Sequence, residues 1–421
     1  MSKKELPFTY SKLKEIVDEY PTPFHIYDER AIKENAKRLV KAFSWNKGFK
    51  EYFAVKATPN PFILKILKNE GFGTDCSSLP ELILSEKVGI IGENIMFSSN
   101  NTPADEYIKA RELNATINLD GISHIPFLEK HGGIPELISL RYNPGKSREG
   151  SFIMGDPAKA KFGFTKDQIF EGLKQLKKLG SKRFGLHTFI ASNELNPQYF
   201  IDTAEMMYVF AVEIKEKLGI RLEFVNIGGG IGIPYKPDEK VVDLEYVSNG
   251  IREKYTSIIE PNDLDPLALF MECGRMITGP YGYLVSKVLH IKDTYKKHVG
   301  LDACMANLMR PAMYNAYQHI TVMNKENKAH DYVYDVTGSL CEPIDRFAVD
   351  RKLPEIEIGD LLVIHDTGAH GHAMGFNYNG KLRSSELLLR ENGNVKEIRR
   401  AETVDDYFRT LDFDKLSDFN V

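Results

Sequence analysis

A lysine closes an apolar run at Val55-Lys56-Ala57-Thr58-Pro59-Asn60. An amine there condenses with a carbonyl if burial and cationic neighbours lower its pKa; otherwise it is a strand-end lysine reaching solvent. Further on, Gly228-Gly229-Gly230 follow a strand candidate. Successive glycines free backbone N–H groups to cradle an anion, or simply form a tight loop. The run is not a dinucleotide fingerprint, because Ile233 stands where the last glycine would be needed. The next strand candidate ends in Glu272-Cys273-Gly274-Arg275. Here an acid can hold a ring nitrogen protonated, and Gly274 with Arg275 suits a phosphate monoester. His187 ends another apolar run. Arg310 and Tyr314 lie one helical turn apart, where the guanidinium can clamp a carboxylate through two hydrogen bonds or make a surface ion pair. Cys341-Glu342 sets a thiol beside an acid, able to deliver a proton and hold an ammonium; the alternative is a buried free cysteine.

The lysine, the glycine run, the acid and the phosphate groups together fit pyridoxal 5′-phosphate: lysine for the aldehyde, glycines for the phosphate, acid for the pyridinium nitrogen. A metal is not expected. His365, His370 and His372 are close in sequence, but no HExxH helix accompanies them and a glycine-rich loop would hold ligands loosely.

Something must bring these groups together. Short apolar, β-branched or aromatic runs alternate with longer amphipathic segments. Strands are predicted at 50–55, 72–76, 95–98, 116–119, 137–142, 183–189, 223–227 and 268–272. Helices are predicted at 61–69, 79–88, 103–112, 122–131, 166–179, 197–217 and 243–259. Pro61, Pro80 and Pro103 mark helix starts. Strict alternation calls for a parallel sheet. Eight units favour a TIM-like (β/α)8 barrel, whose chemistry sits at the C-terminal strand ends; an open doubly wound sheet is the alternative. After about residue 280 the rhythm changes to strands joined by turns, at 283–292, 298–301, 331–337 and 360–365. A helix at 10–20 and a strand at 24–27 precede the barrel.

The 421 residues carry 55 Lys and Arg against 59 Asp and Glu, a net charge of −4. That balance gives no broad footprint for nucleic acid or an anionic membrane. No apolar run approaches the ~18–20 residues of a membrane helix. Four separated cysteines without a CxxC pair, and no apolar segment behind the charged N-terminus, make a cytoplasmic location the expectation.

The chain resembles the fold-type III, pyridoxal-phosphate-dependent decarboxylases, the ornithine, diaminopimelate and arginine decarboxylase family, and within it the diaminopimelate branch. The resemblance runs from Pro21 to about Leu389. It rests on Tyr52-Phe53-Ala54-Val55-Lys56-Ala57, Lys161-Phe162-Gly163, Gly228-Gly229-Gly230, Glu272-Cys273-Gly274-Arg275, Arg310-Pro311-Ala312-Met313-Tyr314, Cys341-Glu342 and Asn377-Tyr378-Asn379. It implies a barrel over residues 30–282. Residues 1–29 and 283–421 would form a mostly-β, alanine-racemase-like domain contributing to the active site and dimer interface. It implies that Lys56 binds the cofactor as a Schiff base and that His187 stacks on the ring. Gly228, Gly229, Gly230, Gly274 and Arg275 would hold the phosphate, and Glu272 the ring nitrogen. Arg275, Arg310, Tyr314 and Glu342 would contact an amino-acid substrate, and Cys341 would donate a proton from the partner of a homodimer with shared sites. The reaction so implied takes meso-2,6-diaminopimelate to L-lysine and CO2, the last step of lysine biosynthesis.

Three departures accompany the resemblance. The usual His-x-Gly-Ser-Gln is replaced by His187-Thr188-Phe189-Ile190-Ala191-Ser192, so Ser192 becomes the expected phosphate-binding serine on a loop that must run differently. Cys273 stands where proline is usual, which should make that turn less rigid. His370 stands where a tyrosine usually contacts cofactor phosphate and substrate. Glu342 favours diaminopimelate, since amine-specific members tend to carry aspartate after the cysteine. Ornithine, arginine, D-lysine and carboxynorspermidine remain rival substrates. A racemase would need a tyrosine where Cys341 stands, and a non-catalytic regulator on this fold should lack the lysine or the thiol.

Overall fold

The computed structural model describes residues 4–150 and 155–418. The chain divides into two units. One comprises Arg30–Pro234 and Asp238–Pro280; the other comprises residues 4–29, Tyr235–Pro237 and residues 281–418.

In the first unit, among the described residues, eight parallel strands close a barrel: Lys50–Ala54, Gly73–Cys76, Ile95–Ser98, Thr116–Leu119, Leu137–Arg141, Arg183–His187, Phe224–Asn226 and Ala268–Met271. The first strand pairs with the eighth, Lys50 opposite Phe270 and Glu51 opposite Met271, which decides for a barrel over an open sheet. The connecting helices start where local chemistry dictates. Asn60 caps Pro61–Asn69, with proline in its first turn. Thr165 and Gln168 form a capping box on Lys166–Lys178. Asn196 caps Pro197–Leu218, which ends at Gly219 with φ 62°. A helix at Glu29–Ala42 precedes the first barrel strand and is absent from the sequence reading.

The two-residue period of each strand sorts the interior into layers. At the lower end Tyr52, Met96, Leu137 and Phe224 pack with Phe270, and the Phe224 and Phe270 rings stack at 4.3 Å. Glycine is required opposite these rings, since a Cβ on Gly185 would lie 2.1 Å from the Phe224 ring. Two residues further along the same inward rows stand Asp75, Asn118, Ser139, His187, Asn226 and Glu272, all buried. The barrel is thus plugged by aromatics below and polar above.

The second unit is built on a mixed sheet, nine-stranded among the described residues. Its central strand, Gly282–Asp293, pairs antiparallel with Phe24–Asp28, Leu361–Ile364 and Lys297–Leu301, with a register shift between Val288 and His290. Phe24–Asp28 in turn runs parallel to Ser385–Leu389. Strands at Ile320–Val322, Arg346–Leu353, Ser385–Leu389 and Val395–Arg399 add to those expected. Two apolar clusters cover the sheet, one around Val299, Val336 and Phe347, the other around Leu13, Phe24, Val363 and Leu387. Among the described residues no helix is long and apolar enough to cross a membrane.

Candidate active site

Lys56 sits in a single 3-10 turn, Val55–Ala57, directly after the first barrel strand. Its side chain is 48% exposed, with Nζ 3.7 Å from Asp75 Oδ2 and 5.5 Å from the centre of the Phe189 ring. Asp75 is buried, and its Oδ1 has no hydrogen-bond partner among the described residues. Burial drives the Asp75 carboxyl well above its ordinary range and nearby Glu272 pushes the same way; Lys56 opposes them.

Glu272, at the end of the eighth strand, accepts hydrogen bonds from Asn226 Nδ2 at 2.7 Å and shares a 3.0 Å contact with His187 Nε2. Burial alone would raise its carboxyl. His187, Lys56 and Asn226 outweigh that and hold it below the ordinary value. The other ring nitrogen of His187 is buried and unpartnered among the described residues.

The glycine turn lies between the seventh and eighth strands. Gly228 and Gly230 have φ of 68° and 93°, a conformation that favours glycine. A Cβ on Gly229 would lie 2.2 Å from the Glu272 carbonyl oxygen. Gly228 N–H donates to Asn226 Oδ1 at 2.8 Å, whereas the N–H groups of Gly229 and Gly230 meet no acceptor among the described residues. The loop carrying Ser192 runs beside this turn: Glu194 N–H donates to Gly230 O at 2.9 Å and Gly232 N–H to Glu194 O at 2.8 Å. Gly274 backs onto the lysine turn, where a Cβ on it would meet Ala57 Cβ at 2.7 Å. Arg275 opens the short helix Arg275–Thr278, whose Thr278 hydroxyl is 2.9 Å from that of Thr58. Lys56, His187, Ser192, the three glycines, Glu272, Gly274 and Arg275 therefore share the C-terminal rim of the barrel.

Asp75, Asn226, Arg141 and Asp120 at this rim were missed from the sequence. Arg141 reaches Asp120 at 3.1 Å and lies 4.4 Å from the Phe162 ring. Burial lifts Asp120 to about 6 although Arg141 pulls it down. The available signal was a polar or ionisable residue on an inward strand position. The Cys273 turn is not left loose. Its N–H, which proline would lack, donates to the buried carboxylate of Glu51.

In the second unit, Arg310 is buried, with its guanidinium 4.5 Å from the Tyr235 ring; it is not a surface ion pair. Tyr314, at the other end of the helix Arg310–Tyr314, is exposed. Cys341 is exposed while Cys76, Cys273 and Cys304 are buried, and its N–H donates to Asn379 Oδ1 at 2.8 Å. Glu342 is partly exposed and its carbonyl accepts from Asp345 N–H at 3.0 Å. Asp345 in turn accepts from Leu340 N–H at 2.8 Å and Met305 N–H at 2.6 Å, fixing the loop around the thiol. His370 adopts φ 55°. His365 and His372 do not converge with it on a metal: His365 contacts the Thr321 hydroxyl at 2.8 Å and His372 the Ser384 carbonyl at 2.9 Å. Among the described residues no group of three or more metal-binding side chains is assembled.

The family model for the pyridoxal-dependent decarboxylase, pyridoxal binding domain, matches residues 29–279. The chain belongs to the pyridoxal-dependent decarboxylases. It is 42% identical over 408 residues to Protein TabA of Pseudomonas amygdali pv. tabaci, covering 97% of this chain and 95% of that one. It is 35% identical over 398 residues to diaminopimelate decarboxylase of Methanothermobacter thermautotrophicus, covering 94% and 92%. The solved diaminopimelate decarboxylase of M. jannaschii, in complex with L-lysine, superposes with a TM-score of 0.88 at 32% identity, covering 94% of each chain.

The family cofactor is pyridoxal phosphate, and the rim residues fit it. The N–H groups of Gly229 and Gly230 are open to a phosphate, as a nest requires. His187 Nδ1 and Asp75 Oδ1 are buried polar atoms without partners among the described residues, which native folds otherwise avoid. Glu272 is a buried acid held in its charged form, the state that keeps a pyridine nitrogen protonated.

Proposed function

We propose that this decarboxylase converts meso-2,6-diaminopimelate to L-lysine and CO2, the last step of lysine biosynthesis. The observation that carries the reading is the Lys56 amine 3.7 Å from the buried Asp75 carboxylate, on the same rim as Glu272. Likeness to diaminopimelate decarboxylases across more than nine-tenths of the chain supports the substrate.

When bound, pyridoxal phosphate supplies an aldehyde that condenses with amines and a ring that draws electron density from a bond to the α-carbon. Lys56 would hold that group through its amine. The N–H groups of Gly229 and Gly230, with Ser192, Gly274, Arg275 and His370, would bind the phosphate. Glu272 would hold the ring-nitrogen proton, and His187 would lie against the ring. Arg275, Arg310, Tyr314, Glu342 and His370 bind and orient the substrate. A carboxylate has to leave and a proton has to take its place; the thiol of Cys341 of the partner subunit delivers that proton. The reaction runs in the cytoplasm, consistent with four free cysteines.

The test is purified protein with added pyridoxal phosphate, meso-diaminopimelate, and separate lysine and CO2 readouts, with the L,L isomer as control. Equal yields of L-lysine and CO2 from the meso isomer alone are expected. Shared sites are tested by mixing two inactive variants, Lys56→Ala and Cys341→Ala. Random exchange into dimers should restore about a quarter of wild-type activity, because half the dimers carry one intact site of two. No recovery on mixing rejects the shared site.

A second reading has its own support. A relative with higher identity than the diaminopimelate decarboxylases cited is not named as one, and Ser192, Cys273 and His370 all lie at departures from the motif. The same reaction on another amino acid follows if ornithine, arginine, D-lysine or carboxynorspermidine releases CO2 faster than meso-diaminopimelate. Inversion of recovered substrate without CO2 would instead identify a racemase.

A further inference from the structure

Strand residues that alternate with the inward rows face the apolar layer outside the barrel wall. Glu51 is one of them. It neighbours Tyr52, which belongs to the interior cluster, and it is only 2% exposed. Its Oε1 accepts the backbone N–H of Cys273. Its Oε2 is buried with no partner among the described residues. A buried acid with an unmet oxygen is destabilising, so its presence calls for a local reason.

The reason lies in the peptide that it holds. Glu272 N–H donates to Gly228 O at 2.9 Å, and the Glu272 carbonyl oxygen sits where a Cβ on Gly229 would come within 2.2 Å. The glycine turn therefore presses on the Glu272–Cys273 peptide from one side, and Glu51 grips it from the other. We infer that Glu51 is a positioning residue: it fixes the Glu272–Cys273 peptide, so that the Glu272 side chain stays aimed into the barrel at the ring nitrogen of the cofactor. This inference rests on the ring-nitrogen reading of Glu272. Burial, with Glu272 adding to it, pushes the Glu51 carboxyl well above its ordinary range. A neutral side chain that still accepts the N–H should therefore serve as well.

Affinity of the apoprotein for pyridoxal phosphate, read from the visible band of the bound cofactor, tests this without any substrate. Glu51→Gln keeps the acceptor and should bind within about two-fold of wild type. Glu51→Leu strands the N–H and should weaken binding about ten-fold, the size of one lost bond to a buried group. Adding Cys273→Pro to Glu51→Leu removes the stranded N–H and should return affinity to within about three-fold of wild type. Cys273→Ala keeps the N–H but removes a thiol that also bonds the Glu51 carboxyl, so it should weaken binding less than Glu51→Leu does. Should Glu51→Leu fold poorly, the Cys273→Pro single variant breaks the same bond from the other side. Thermal melting of the apoproteins should then rank the double variant above both singles.

Wild-type affinity in Glu51→Leu, or a double variant no tighter than Glu51→Leu, overturns the inference. A Glu272→Gln variant separates the two layers of the argument. If it leaves the cofactor band and its pH dependence unchanged, the ring-nitrogen reading fails and takes this inference with it. If it shifts the band while Glu51→Leu is silent, only the role of Glu51 is rejected.

Discussion

Two buried glutamates, one in each unit, show how this chain separates chemistry from architecture. Glu272 in the barrel and Glu386 in the β unit are both almost fully buried. In each, burial would raise the carboxyl and neighbours hold it down. The neighbours differ in kind. Glu386 is held by His372 at 3.7 Å, by the Arg399 guanidinium and by the Tyr27 hydroxyl, and stands at about 2; only this site adds an arginine to its histidine. Arginine does not give up its charge. Glu272 is held by His187 and by the amide of Asn226, with no arginine or lysine bonded to it among the described residues, and the second nitrogen of His187 has no partner among those residues. A carboxylate pinned by a permanent cation stabilises a fold. A carboxylate held by an amide and an imidazole, with unmet polar atoms around it among the described residues, is poised for a ligand.

The largest effect should come from the rim. Lys56→Ala should abolish the visible band of bound pyridoxal phosphate and lower turnover at least ~10³-fold, while the melting temperature of the apoprotein stays within a few degrees. The amine is half exposed and its ion pair with Asp75 spans 3.7 Å, so little stability depends on it. A variant that kept both band and turnover would remove the cofactor assignment.

The two glutamates should then separate cleanly. Glu272→Gln should cut kcat about 10²-fold, within the range of one positioned proton-holding group, with little change in stability. Glu386→Gln should do the opposite. Loss of a buried, paired charge destabilises by about 3 kcal/mol, seen as a lower denaturation midpoint, while the protein that remains folded keeps most of its kcat. If Glu272→Gln proves the more destabilising, the contrast between the two sites is reversed.

The part of this arrangement legible in the sequence is the part that periodicity and caps encode. All eight barrel strands and the seven helices between them fall within two residues of expectation, because Pro61, the Thr165–Gln168 capping box and Gly219 mark their ends chemically. Helix Glu29–Ala42 was missed for a physical reason. Its apolar stripe is only Ile32, Ala36 and Leu39, it is crowded by charges, and it begins without a break after Phe24–Asp28. The charged strands Arg346–Leu353 and Val395–Arg399 hid in the same way, since half-buried strands need only one apolar face. Asp75, Arg141 and Asn226 occupy inward rows that become visible only once strand direction and register are known. Glu51 was hidden twice over: it faces outward, and its role depends on a backbone N–H that no sequence pattern reports.

The smallest effect sharpens the contrast by pH. In the β unit His25 is buried, its Nε2 3.1 Å from the Asn307 carbonyl, and its ring lies 5.6 Å from that of His372. Burial lowers His25 to about 4 and His372 to about 3, against 6.5 for an ordinary histidine; nearby Glu386 opposes the shift in both. Below pH 6.5 the unfolded chain therefore binds more protons than the folded one, and stability falls as the pH drops towards 4 and then 3. Between pH 7 and pH 6 the loss should be on the order of 1 kcal/mol for each histidine. Glu386 adds to it later: its contribution is whole above its ordinary value of 4.5 and disappears as the pH falls towards 2. Urea midpoints measured at intervals from pH 7.5 to pH 4 should decline steadily, and His25→Gln should flatten the upper part of that decline even if it lowers stability at pH 7.5. A profile equally steep in His25→Gln would remove this histidine from the account and leave the acid sensitivity to His372, His319, His365 and the buried carboxylates.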